Sequence, residues 1–229
     1  MKIAAISDLH GYLPPCESFE EVDLLLICGD IVPLQYQSHL ELSKNWFLDE
    51  FSSWINYLPV QKVLFIGGNH DWICQRAFEW MEQTFNKETK ATYLYHSDFI
   101  FTNKNKRYQI FGTPFCKQFG KWAFMHDLKT LDYLYGQIPE NTDILISHDS
   151  PTLNKLGFIN QPVPWGNVEA GNNVLSKHIQ RIKPKYFFSG HIHSGNHTLE
   201  CVDEVTMANV SMVDEYYQVA YQPLIIDIE

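Results

Sequence analysis

Five short stretches place metal-binding side chains directly after apolar runs. They are Asp8-Leu9-His10, Gly29-Asp30, Gly67-Gly68-Asn69-His70-Asp71, Ser147-His148 and Gly190-His191-Ile192-His193. Aspartate, asparagine and histidine together make a mixed oxygen and nitrogen donor set, which suits divalent transition metals such as Mn, Fe, Zn or Ni. Asp8 and His10 are two residues apart, as are His191 and His193. On an extended strand end each pair would point to one side and could share one ion. The glycines before Asp30, Asn69 and His191 permit turns that bring backbone close to a ligand. Any one of these fragments is common and means little alone. All five in one chain, each after an apolar run, point to a metal-dependent hydrolase.

The preceding runs are Ile3-Ala4-Ala5-Ile6, Leu24-Leu25-Leu26-Ile27-Cys28, Val63-Leu64-Phe65-Ile66, Ile144-Leu145-Ile146 and Tyr186-Phe187-Phe188. Near-continuous apolar runs of this length read as strands buried on both faces. Ligands in open α/β sheets collect at the carboxyl ends of such strands, so five ends can converge on one pocket. Between the second and third runs, Leu40, Phe47, Phe51, Trp54 and Leu58 recur at helical spacing over His39–Leu58, and Pro59 closes the segment. A second helix is expected from Trp72 to Phe85 and a third from Lys121 to Tyr135. In the middle, Thr92-Tyr93-Leu94-Tyr95, Phe99-Ile100-Phe101 and Tyr108-Gln109-Ile110-Phe111 read as short strands of an antiparallel set that extends or faces the first sheet. A further helix near Val174–Ile182 precedes the run at 186–189, and terminal strands include Leu224-Ile225-Ile226. Residues 150–172 are rich in Pro, Gly and Asn without a period; lying just after His148, they suit a lid or a substrate wall.

A chain of 229 residues with no repeat or linker is expected to form a single domain over 1–229. Its formal net charge of -10 makes it a poor partner for polymeric nucleic acid or an anionic membrane. A small phosphate ester is not excluded, because bound metal ions can reverse the local field. The five cysteines, at 16, 28, 74, 116 and 201, are odd in number and form no Cys-x-x-Cys pair, so neither a disulfide framework nor a zinc ribbon is expected. Asp8 comes too early for a signal-peptide core, and no apolar run nears the length of a membrane span, so the cytoplasm is the expected location.

The blocks D-x-H, G-D, G-N-H-[DE], H and G-H-x-H, all intact from residue 8 to 193, resemble those of the calcineurin-like metallophosphoesterase superfamily. Within it, Ser147-His148-Asp149-Ser150-Pro151 and Lys183-Pro184-Lys185-Tyr186-Phe187-Phe188-Ser189-Gly190-His191-Ile192-His193 are similar to a small MPPED-type phosphodiesterase branch, although Asp149-Ser150 stands where that branch usually has Gly-Pro. The resemblance implies an α/β fold: a four-layer α-β-β-α sandwich of two mixed sheets flanked by helices, with the active site at the carboxyl ends of the strands. It implies two divalent metal ions, with Mn the first choice in vitro. Asp8, His10 and His193 would hold one, Asn69, His148 and His191 the other, and Asp30 would bridge them. His70 would stand over the phosphate as general acid or transition-state stabiliser. Asp71 would orient His70, or serve only as a helix N-terminal charge. Two metal ions neutralise a phosphate, acidify a water between them and let the resulting hydroxide attack phosphorus directly. No Ser or Cys nucleophile is then needed.

The substrate class can be narrowed by what is missing. Protein phosphatases of this superfamily carry an Arg soon after the Gly-Asp block, where this chain has Ile31-Val32-Pro33. Its arginines, Arg76, Arg107 and Arg181, make no basic stripe for DNA. A small phosphodiester, nucleotide-like or not, is the first expectation and a small monoester the alternative. Tyr36, Phe115 and Trp165 lie between the motif blocks, where they could stack on a base or pack their own loops. A reading of another class is a scaffold with weak catalysis that binds a protein partner; the intact His70 and ligand set count against it.

Overall fold

The apolar runs become the parallel strands of two sheets. The computed structural model describes residues 1–85, 90–160 and 168–228. Strands β1 (Lys2–Ile6), β2 (Leu24–Ile27), β3 (Lys62–Phe65) and β4 (Ala91–Tyr93) stand side by side in chain order, each parallel to the next. The chain then forms the antiparallel hairpin β5 (Ser97–Asn103) and β6 (Lys106–Thr113), with Ser97 opposite Gly112 and Asn103 opposite Lys106. A short pair follows, β7 (Cys116–Lys117) and β8 (Met125–His126). Next come β9 (Ile144–Ser147), parallel to β6, a second short pair, β10 (Phe158–Ile159) and β11 (Val168–Glu169), and β12 (Tyr186–Ser189), parallel to β9. Strands β13 (Glu200–Val202), β14 (Val205–Asn209) and β15 (Leu224–Asp227) complete the described set.

The first sheet has the order β15-β1-β2-β3-β4 and the second β13-β14-β12-β9-β6-β5. Both are mixed, because β15, β13 and β5 run antiparallel to their neighbours. Alternate residues of each strand face opposite ways. Ile3, Ala5, Leu24, Leu26 and Leu64 of the first sheet meet Ile110, Ile144, Ile146, Phe188 and Ala208 of the second in one buried cluster. The intervening residues face the helices: Leu25, Ile27 and Phe65 on one side, Phe111, Leu145 and Phe187 on the other. The expected helix-sheet-sheet-helix layering is therefore present.

Helices α1 (Leu40–Trp46) and α2 (Ser52–Tyr57) are joined without a break by a π-helical turn, Phe47–Phe51. One extra residue per turn lets both Phe47 and Phe51 reach the sheet, where each is fully buried. Truncating either to Ala would cost about 3–5 kcal/mol. The segment expected as one helix over 72–85 is two, α3 (Trp72–Arg76) and α4 (Phe78–Phe85), broken at Ala77 (φ -123, ψ 38). The helix expected from Lys121 begins instead at α5 (Leu128–Gly136). Asp127 caps it by accepting the Thr130 N–H at 3.0 Å, and the residues before it are used by β7 and β8. The middle strands also divide: β4 extends the first sheet, while β5 and β6 edge the second. Helix α6 (Asn173–Ile182) is capped by Asn172, which accepts from Val174 N–H at 2.9 Å, and ends at left-handed Lys183. No helix among the described residues is long and apolar enough to cross a membrane.

Candidate metal centre

The five motif blocks follow the carboxyl ends of β1, β2, β3, β9 and β12, and their side chains converge there. The backbone at these ends is not extended. Asp8, His10, Asp30 and His191 all have positive φ, between 44° and 68°. Such geometry is uncommon for non-glycine residues and persists where surrounding contacts hold it. The strand-like i, i+2 geometry expected for Asp8–His10 and for His191–His193 is therefore corrected: each pair is turned rather than extended. His191 Nα–H donates to both oxygens of Asp8, at 3.1 and 3.0 Å, and Ile192 N–H to the Gly190 carbonyl at 2.8 Å. That turn sends the His191 ring toward His148 and the His193 ring toward His10. Two glycines are required by close approach. A Cβ on Gly68 would collide with Oδ1 and the backbone nitrogen of Asp30, and one on Gly190 with Ser7 Oγ and Asp8 Oδ2.

Among the described residues, two tight donor groups form: Asp8, His10 and His193, and Asp8, Asp30 and His148. In each, one ligand atom per residue lies within 4.8 Å of the others. Oδ2 of Asp30 faces Nε2 of His148 at 3.4 Å and Nε2 of both His10 and His70 at 3.9 Å. Nε2 of His193 lies 3.6 Å from Asp8 Oδ1, and Nε2 of His148 lies 2.9 Å from Asn69 Oδ1. His191 stands just outside these groups, its ring 5.0 Å from that of His148. Two rings are aimed by their far nitrogens: Nδ1–H of His148 donates to the Cys28 carbonyl and Nδ1–H of His193 to the Asp214 carbonyl, both at 2.9 Å. This leaves Nε2 of each facing the centre, the arrangement common for metal-bound histidines.

His10 provides the test of fit. Both of its ring nitrogens are buried and have no hydrogen-bond partner among the described residues. A buried polar atom left unpaired costs about 1–3 kcal/mol. The ring sits among the rings of His70, His193 and Tyr217, at 5.1, 5.6 and 4.9 Å, and beside two buried carboxylates. A cation in that space would supply what the protein does not, and the donor types suit a divalent transition metal.

The electrostatics point the same way. Burial opposes the charge on Asp8, but the hydrogen bond and charge of His193 prevail and hold it at about 2. Burial likewise opposes Asp30, which His148 and His70 hold well below the usual carboxylate range. Against their own burial, His148 is drawn up to about 10 by Asp30 and His193 to about 9 by Asp8. Burial pushes His10 down to about 4 and His191 to about 3. Two ionised carboxylates thus hold protons on the very imidazoles that face them. Coordination needs neutral imidazole, so a divalent ion would take the place of those protons.

The structure separates the two other expected site residues. His70 is at the centre: Asp30 Oδ1 accepts its backbone N–H at 2.8 Å. Its Nδ1 is met by Oε1 of Gln37, so Gln37, not Asp71, orients the ring. Asp71 is buried beneath, accepting N–H bonds from Ile31 at 3.0 Å, Val32 at 2.9 Å and Gly68 at 2.9 Å. It ties the Asp30 turn to the turn before His70. Burial and the Asp30 charge raise it to about 7, with those backbone bonds pulling the other way. Of the aromatics expected near a base, Phe115 is buried against Tyr95, Phe124 and His126, Tyr36 packs on the core, and Trp165 lies outside the described residues. Among the described residues, the aromatic rings that do reach the centre are Trp122, 4.7 Å from His70, Phe119, 5.5 Å from His191, and Tyr217, 5.2 Å from His193. Sequence spacing did not single out these three or Gln37. All four lie in irregular segments, and only the strand ends announced the site.

Comparison with known proteins agrees with this geometry. The model of the family described as "Calcineurin-like phosphoesterase" matches residues 1–195. The chain is 26% identical to human "Metallophosphoesterase domain-containing protein 1", over 99% of this chain and 71% of that protein. It is 27% identical to "UPF0046 protein C25E10.12" of Caenorhabditis elegans, over 78% and 66%. These relatives belong to the small MPPED-type branch. Among solved structures, TT1561 of Thermus thermophilus superposes with a TM-score of 0.60 at 13% identity, covering 91% of this chain and 88% of that one, which bears on the fold alone.

Proposed function

The chain belongs to the calcineurin-like phosphoesterase family, and from that premise we propose that it hydrolyses a small phosphodiester with two divalent metal ions at the centre between Asp8 and Asp30. Membership supports a metal-dependent phosphoesterase; the diester and the second ion are our reading. The observation that carries it is His10, buried with both ring nitrogens unpartnered beside two ionised carboxylates. Asp8, His10 and His193 would hold one ion, Asn69, His148 and His191 the other, with Asp30 between them. Bound there, such ions neutralise phosphate charge and lower the pKa of water.

The chain's own residues would do the rest. Asp30 holds the His70 backbone with one oxygen and turns the other into the centre. Gln37 holds Nδ1 of His70, so Nε2 is the atom aimed at a bound ester. A proton on that Nε2 would pass to the leaving oxygen as its bond to phosphorus breaks. A diester, with its single charge, is supported over a monoester because the one described lysine of the adjoining cavity is already committed. Lys117, the lysine beside His191, spends its Nζ on the carbonyls of Ala170 and Gly171. All five cysteines are free, which supports a reducing, cytoplasmic setting.

The test is hydrolysis of bis-p-nitrophenyl phosphate and of p-nitrophenyl phosphate with added Mn²⁺. Diester turnover should exceed monoester turnover, and His70→Ala should lower kcat, by about 100-fold for a diester with an alkyl leaving group and by less with p-nitrophenolate, which needs less help from an acid. Turnover untouched by both His70→Ala and Asp30→Asn would overturn the assignment of this centre. Monoester turnover larger by orders of magnitude would reverse the diester preference.

A further inference from the structure

Two trains of rings lead away from Asp30. His10, His70, Trp122 and Tyr217 form one. His148, His191 and Phe119 form the other. His70 belongs to the first, so an alcohol that receives its proton leaves on that side. The second train opens into a cavity of about 380 Å³ lined by Lys117, Phe119, Asp149, Ile159, Ile192 and Glu215, with His191 in its wall.

The chemistry of this cavity is specific. Phe119, Ile159 and Ile192 give it apolar walls. Its one cation among the described residues, Lys117, is turned away: Nζ donates to the Ala170 carbonyl at 2.5 Å and to the Gly171 carbonyl at 2.8 Å. Asp149 is buried, and its Oδ2 accepts from Lys117 N–H and Asn172 Nδ2, both at 2.8 Å. Glu215 adds a second carboxylate, with Oε1 accepting from Ser194 N–H at 3.0 Å. Two acidic groups and a committed lysine leave no cation among the described lining residues to receive a second phosphate, whereas the walls would shelter an aromatic or aliphatic group.

We infer that this cavity seats the ester substituent that stays on phosphorus, and that this substituent is an apolar, uncharged group bearing no second phosphate. The inference rests on the phosphodiester reading above. In the hydrolysis a water oxygen bonds to phosphorus and the bond to the leaving oxygen on the His70 side breaks. The His70 proton passes to that oxygen, one water proton returns to His70 and the other goes to solvent. The bond to the substituent beside His191 is untouched, and the product is its phosphate monoester.

Phe119 lies in an exposed turn and Ile159 on a short strand, so truncating them leaves both cores intact. The experiment compares methyl p-nitrophenyl phosphate with phenyl p-nitrophenyl phosphate, which share one leaving group, using Mn²⁺-loaded protein. The phenyl-to-methyl ratio of kcat/KM should be about tenfold higher in the wild type than in Phe119→Ala or Ile159→Ala, the scale expected for sheltering a ring from water. A second readout is calorimetric binding of phenyl phosphate and methyl phosphate, where the same tenfold preference should appear and be lost in Phe119→Ala. Equal ratios in the wild type and both variants, or equal affinities for the two monoesters, would overturn the inference. Phe119-dependent preference for phenyl phosphate with no diester hydrolysis would keep the cavity's selectivity and reject the hydrolase reading instead.

Discussion

Oδ1 of Asp30 accepts the backbone N–H of His70 at 2.8 Å, while Oδ2 of the same carboxylate faces three imidazole nitrogens. One side chain therefore fixes the turn that carries the acid and presents charge to the centre. The two roles are separable. Asp30→Asn keeps an oxygen for the His70 N–H but removes the anion. We expect a folded protein with its metal content sharply reduced and kcat/KM down by more than about 100-fold, beyond the effect usual for losing an outer partner of a ligand. Elemental analysis and diester kinetics check this; a variant that keeps both metal and rate would remove Asp30 from the centre.

Chelation should act on stability as well as on rate. Asp8 and Asp30 are buried and ionised, and His10 lacks partners without a cation. A ligand present at 100 times its dissociation constant stabilises the fold by about 2.7 kcal/mol. Dialysis against a chelator should therefore lower Tm by several degrees and abolish turnover, and Mn²⁺ should restore both. An unchanged Tm would mean that the buried charges are balanced without metal.

The ligands could be read from the chain because each follows an apolar run, and parallel strands of one sheet deliver their carboxyl ends to one side. Asp8, Asp30, Asn69, His148 and His193 all owe their visibility to that rule. Gln37, Phe119, Trp122 and Tyr217 come from turns, which have no period to betray where a side chain points. The same limit hid the start of α5. An apolar and aromatic stretch at 121–126 reads as helix until Asp127 is seen capping Leu128–Gly136. The left-handed geometry of Asp8, His10 and His191 was invisible for a different reason: Asp and His tolerate positive φ without requiring it, and tertiary contacts impose it.

Gln37 meets Nδ1 of His70, which leaves Nε2 facing Asp30. Gln37→Leu should lower kcat by about tenfold, part of the contribution of a general acid, with KM and metal content little changed. The loss should be larger for an alkyl leaving group than for p-nitrophenolate, which needs less help from an acid. Gln37→Glu retains an acceptor and should recover most of the rate. An equal loss with both leaving groups would show that Gln37 acts on something other than the proton donor.

Asp71 predicts a pH dependence of stability. Burial and the Asp30 charge raise its pKa from 3.8 to about 7. A carboxyl with its folded pKa above the unfolded one binds more protons folded than unfolded between those values. Its contribution to the stability of the metal-free protein therefore declines as pH rises through that window. Asp71→Asn does not titrate. The stability difference, variant minus wild type, should increase from pH 4 to pH 7 and then level off. Denaturant unfolding of both proteins without metal measures it; a flat difference would mean that Asp71 is ionised throughout.

Gly68→Ala should damage the centre more than its size suggests. The added methyl would collide with Oδ1 and the backbone nitrogen of Asp30 and come within 2.7 Å of His148 Cε1. None of these can retreat freely: Asp30 Oδ1 holds His70, and His148 is pinned by the Cys28 carbonyl. Overpacking of this kind costs about 1–3 kcal/mol, and here it also displaces ligand atoms. Gly120→Ala is the control, because its methyl would meet only the edge of Trp122 at 3.2 Å. Metal stoichiometry and Tm should both fall for Gly68→Ala and hold for Gly120→Ala. Full metal occupancy in Gly68→Ala would show that the Asp30 and His148 turns can separate without cost to the site.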